Sequence, residues 1–111
     1  MVTLTDMETN RIDILKNLVA QKPTDTFARY GLAMEYMKSG ALDQAVTEFR
    51  AVLANDPEYA YAYFHGGQAL EKLGLFDEAR AMYESGIKVT QRKGDHKATS
   101  ELQAALDLLP L

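Results

Sequence analysis

The chain has 111 residues, 47% hydrophobic and 25% charged, the balance of one ordinary globular domain with a modest core. It contains no cysteine, which excludes disulfides, thiolate catalysis and cysteine-held metal. A formal net charge of −4 argues against nucleic acid or an anionic membrane as the main partner. Asp6, Glu8, Arg11, Asp13 and Lys16 interrupt every apolar run that a leader peptide would need, and no stretch approaches the roughly 20 apolar residues that cross a bilayer. A cytoplasmic location is therefore expected.

The first predicted element covers residues 8–21, where Ile12, Leu15, Leu18 and Val19 fall on one helix face. Pro23 ends it, because a proline pushes the preceding residue out of the α region. Thr24 or Asp25 can cap a second helix, which carries Phe27, Tyr30, Ala33, Met34 and Met37 to a stop at Ser39 and Gly40. A third, at 42–54, buries Ala45, Val46, Phe49, Val52 and Leu53 and terminates before Asp56-Pro57. The fourth spans 59–72 and stops at Gly74; the fifth begins near Asp77, with Ala79, Met82, Tyr83, Gly86 and Ile87 on one side. Gln91 stands where a third proline would mark the spacing, so the fifth helix is expected to run longer than the third. After a break at Gly94-Asp95, Ala98, Leu102, Ala105, Leu106 and Leu109 form a last helical stripe, with Lys97, Glu101, Gln103 and Asp107 expected to face water. No strand pattern interrupts these six helices.

Pro23 and Pro57 frame a segment that repeats: residues 26–59 placed over 60–93 align Tyr30 with Phe64, Tyr36 with Leu70 and Gly40 with Gly74. Asp43 then meets Asp77, Ala45 meets Ala79, Phe49 meets Tyr83, and Leu53 meets Ile87. A fixed period of this length means stacked units, none able to bury its apolar face alone. The copies read Arg29-x2-Leu32-Ala33-x2-Tyr36, Ala45-x3-Phe49, Pro57, and then Tyr63-x2-Gly66-Gly67-x2-Leu70, Ala79-x3-Tyr83. This resembles the tetratricopeptide repeat, W-x2-L-G-x2-Y followed by A-x3-F and P. The resemblance covers residues 11–93. The chain departs from the pattern where Arg29 replaces a large apolar residue, Gly66 replaces a leucine, and the second copy lacks its closing proline.

The resemblance implies an all-α superhelix, a stack of antiparallel helix pairs forming one domain over residues 1–111. Its expected parts are an N-terminal half unit (8–22), two repeats (26–59 and 60–93) and a C-terminal capping helix (94–111). In this family the first helix of each pair lines a concave groove in which peptides commonly bind. The implied groove residues are Phe27, Tyr30, Met34 and Met37 from the first copy, and Tyr61, Phe64, His65, Gln68 and Glu71 from the second. Methionine re-packs around varied shapes and aromatics supply large contact areas, so such a lining suits an apolar or amphipathic peptide. Family members that grip a C-terminal carboxylate use lysine, asparagine and arginine there. Here Tyr30 and Met34 stand at the first lysine and asparagine positions and His65 at the next asparagine, which argues against that mode.

Other motifs point away from chemistry. His65 and His96 lie on different elements without carboxylates at metal-ligand spacing, so no metal or cofactor is expected. Ser39, Ser85 and Ser100 lack a nucleophile-elbow context, and Gly66-Gly67 falls inside a helix with no strand before it and no lysine after it. No paired titratable groups suggest acid–base catalysis, so the protein is not expected to be an enzyme. Lys88, Arg92, Lys93, His96 and Lys97 cluster around the end of the fifth helix, where cations complement the macrodipole. The expected function is binding another protein or peptide, as an adaptor or scaffold. The alternatives are a chaperone-like holder of a secreted or assembling protein, and a self-associating unit that forms a homodimer.

Overall fold

The computed structural model describes the backbone of residues 4–110 and the side chains of residues 10–110. Asp6 and Glu8, used above against a leader peptide, lie outside the described side chains. Among the described residues there are six α-helices and no strand: α1 (Leu4–Gln21), α2 (Thr26–Lys38), α3 (Leu42–Asn55), α4 (Ala60–Lys72), α5 (Phe76–Lys93) and α6 (His96–Asp107). The first helix starts well before its apolar stripe suggests, and the fifth runs through Gln91 as its missing proline predicts. No described helix is long and apolar enough to cross a membrane.

Local chemistry sets the helix ends. Asp25 caps α2, its carboxylate accepting from the Ala28 N–H at 3.0 Å, and Asp95 does the same for α6 from Ala98 at 3.1 Å. Gly40 and Gly74 take φ of 84° and 77°, the left-handed conformation in which a side chain is strained. The following N–H can then turn back, Ala41 to the Tyr36 carbonyl at 2.8 Å and Leu75 to that of Leu70 at 2.9 Å. Each of these turns reverses the chain and lays the next helix against the last.

The helices stack in sequence, each packing on its neighbours in the chain. In addition the backbones of α2 and α4, and of α4 and α6, come close, whereas α3 and α5 stand farther apart and are bridged by the Arg50–Glu78 ion pair at 3.3 Å. The even-numbered helices therefore converge on an inner, concave face and the odd-numbered ones splay outward, within an envelope of 45 × 29 × 20 Å. Three apolar clusters run along the stack. Val19, Ala28 and Leu32 join α1 to α2, and Ala33, Ala45, Phe49, Val52 and Ala62 join α2, α3 and α4. The largest gathers Tyr63, Leu70, Tyr83, Ile87, Leu102 and Leu109 from α4 through the end of α6. Thr90, fully buried, is tied to α6 by the Thr99 hydroxyl at 2.7 Å.

Two sequence expectations change in the fold. Leu18 is exposed, because α1 packs only against α2 and buries a narrow stripe centred on Val19. Glu101 turns from open water toward α4, as described below. The departure at Arg29 has a physical account: its guanidinium pairs with Glu48 at 2.8 Å and donates to the Pro23 carbonyl at 3.1 Å, filling the place of a large apolar side chain.

Candidate functional site: two clefts on the concave face

The convergence of α2, α4 and α6 leaves two adjoining clefts. The first, about 480 Å³, lies between Met34, Glu35, Met37 and Lys38 on α2 and His65, Gln68 and Lys72 on α4. These positions recur at three- and four-residue steps, so each helix offers one stripe to the space between them. The second, about 360 Å³, is bounded by Phe64, Gln68 and Glu71 of α4, Tyr83 of α5, and Glu101, Ala104, Ala105 and Leu108 at the α6 end. Gln68 borders both.

An aromatic cluster forms the floor beside the first cleft. Tyr30 stacks at a tilt on Tyr59, with ring centres 4.9 Å apart, and meets Phe49 edge-on at 5.9 Å. Burial pushes the Tyr30 hydroxyl up to about 12, with the nearby Tyr59 and Tyr61 adding to the shift. His65 lies edge-on to Phe64 at 5.2 Å, and its Nδ1–H donates to the Gln68 side-chain oxygen at 3.0 Å. Burial drives its pKa below the ordinary 6.5, outweighing the Gln68 bond and the Glu101 charge, which favour the imidazolium. In the second cleft the Tyr83 hydroxyl donates to the Glu71 carboxylate, and burial followed by that bond raises the Tyr83 pKa.

The His65 shift has a sign that can be measured. Folding disfavours its proton, so this residue contributes stability that is full above pH 6.5 and is lost as pH falls through 6.5 toward the lower folded value. An NMR titration of the imidazole is expected to give a midpoint below 6.5. A midpoint at or above that value would contradict the burial argument.

The structure brings together Met34, Met37, His65 and Gln68 in the first cleft and Phe64, Gln68 and Glu71 in the second. Tyr30 packs chiefly into the core beside Phe49 rather than lining a cleft. Phe27 and Tyr61 occupy equivalent places in the two copies, each second in its helix; both are exposed and border neither cleft, Phe27 at 79%. Sequence reasoning did not single out Glu35, Lys38 or Lys72 as groove residues, nor any of the lining from α6. The signal for the two lysines was their own spacing, which equals that of Pro23 and Pro57. Among the described residues no group of histidines and carboxylates converges to hold a metal ion. At the end of α5, Arg92 of the basic cluster reaches Glu58 at 3.8 Å.

A family model described as the tetratricopeptide repeat matches residues 30–94, more than half of the sequence. The chain belongs to the tetratricopeptide repeat family. A tetratricopeptide repeat domain protein from Salinibacter ruber, solved by NMR, is 38% identical, with a TM-score of 0.71 over 77% of this chain and 86% of that one. Two more distant tetratricopeptide-like folds superpose over more of the molecule. PcrH, solved in complex with the chaperone binding region of PopD, has a TM-score of 0.84 at 18% identity, covering 93% of this chain and 78% of that one. The TPR2B domain of yeast Sti1, solved in a complex with pHsp70, has 0.83 at 13% identity, over 92% and 82%. No curated protein sequence matches the chain.

Proposed function

We propose that this tetratricopeptide repeat protein holds an apolar or amphipathic segment of another protein along the concave face of α2, α4 and α6, without chemistry of its own. The observation that carries this reading is the pair of adjoining clefts, in which Met34, Met37, Phe64 and Leu108 present apolar surface between polar side chains. Exposed apolar surface rimmed by polar groups is what a peptide partner covers. The proposed organisation behind it is a half unit (8–22), repeats at 26–59 and 60–93, and a closing helix within 94–111. Of the sequence-derived groove residues, Met34, Met37, Phe64, His65, Gln68 and Glu71 are proposed contacts; Phe27 and Tyr61 lie exposed beyond the clefts, and Tyr30 supports the floor.

The likeness to PcrH, solved with a region of PopD, supports a second form of the same reading, a chaperone-like holder. The two differ in whether the partner stays soluble without this protein. A photoreactive amino acid placed at Gln68 is expected to crosslink a partner segment in the source cell, whereas one at the exposed Ser85 on α5 is not. Adducts from Ser85 alone would move the binding face to the outside of the stack.

A further inference from the structure

The two clefts carry opposite charge. Lys38 and Lys72 border the first, each in the last turn of its helix, and among the described residues neither forms an ion pair. Glu35 shares that cleft, but Arg11 lies 3.8 Å from its carboxylate, so the local excess is positive. The second cleft has Glu71 and Glu101 in its lining and, among the described residues, no cation. The macrodipole accounts for a lysine at the end of a helix; it disfavours Glu71, one residue from the end of α4, which the Tyr83 hydroxyl holds, whereas among the described residues Glu101 forms no ion pair. In a chain with a net charge of −4, a cleft bordered by two lysines is also not a general surplus. Fields of opposite sign in adjoining concave sites select the order of charges in an occupant, because low-dielectric walls focus them.

We infer that the segment held on the concave face carries an acidic residue at the α2–α4 cleft and a basic residue at the α4–α6 cleft, with apolar residues between them. This rests on the proposed binding face and adds the chemistry and direction of its occupant. Gln68, neutral and shared by both clefts, marks the apolar stretch between the charged ends.

The test uses the full chain and four fluorescein-labelled peptides with one leucine- and phenylalanine-containing centre, read by anisotropy. One is flanked by glutamates on one side, one by lysines on one side, one by both on opposite sides, and one by serines. The doubly charged peptide is expected to bind tightest. Lys38→Ser with Lys72→Ser should weaken the glutamate peptide by up to about tenfold and leave the lysine peptide within about twofold. Glu101→Gln should do the reverse, by about threefold. If the serine peptide binds as well as the others, or each variant weakens every peptide alike, the polarity is overturned while the binding face stands. If none of the four binds, both readings fall.

Discussion

A chain ending at Lys93 is expected to lose most of its stability or to associate. The missing segment would take with it Leu102 and Leu109, both buried, and Leu106, which packs partly against the same cluster. Burying three leucines is worth roughly 5–8 kcal/mol before entropy and reference-state corrections, comparable to the whole stability of a small domain. The surface left behind would be the side of α5 carrying Gly86, beside which Leu102 sits, and Thr90, which Thr99 holds, together with Tyr63 of α4. A smaller change isolates the packing: Leu102→Ala should cost about 2–5 kcal/mol, whereas Leu108→Ala, on a side chain 83% exposed, should stay within about 0.5 kcal/mol. Urea denaturation with sedimentation velocity reads both. A truncated chain that remains monomeric with an unchanged midpoint would show that α6 does not seal the stack.

The helices were legible because the chain punctuates them with residues of fixed backbone preference. Asp25 caps, Gly40 and Gly74 reverse the chain, and Pro23 and Pro57 keep helices from running on. The concave face was legible only in part. Met34, Met37, Phe64, His65 and Gln68 fall on stripes that any helix wheel shows, and they do border the clefts. Tyr30 shares such a stripe, but its ring reaches Phe49 and Tyr59 and joins the core, which spacing along one helix cannot reveal. Glu101 sits off the apolar stripe of α6 and so reads as solvated; its surroundings are set by α4, a helix distant in the chain. Lys38 and Lys72 become neighbours of one cleft only once α2 and α4 meet. What the sequence hides here is the pairing of faces between helices, not the helices.

The adjacent glycines of α4 should respond in opposite directions to added side chains. A Cβ at Gly67 would stand 2.6 Å from Cζ of Tyr83, a fully buried ring whose hydroxyl is bound to Glu71 and cannot swing aside freely. Gly67→Leu is therefore expected to destabilise by about 2 kcal/mol or more, and even Gly67→Ala should be unfavourable. At Gly66 the nearest atoms, Cε of Met82 and Cβ of Phe49, would be 3.4 Å away, and a methionine end yields easily. Gly66→Ala should then be neutral or stabilising by up to about 1 kcal/mol, through the lower entropy of the unfolded chain. The equivalent place one period earlier supplies the reason for the difference. Ala33 and Phe49 form a buried pair at the places that Gly67 and Tyr83 take in the second copy. The larger tyrosine, held by its hydroxyl bond, leaves no space for the β-carbon. Tyr83→Phe frees the ring from Glu71, so in the Gly67→Ala background it is expected to cost less than it does alone, by about 1 kcal/mol in a double-mutant cycle. Additive effects of the two changes, or a Gly66→Ala variant less stable than Gly67→Ala, would mean that the small residue and the ring are not matched partners across α4 and α5.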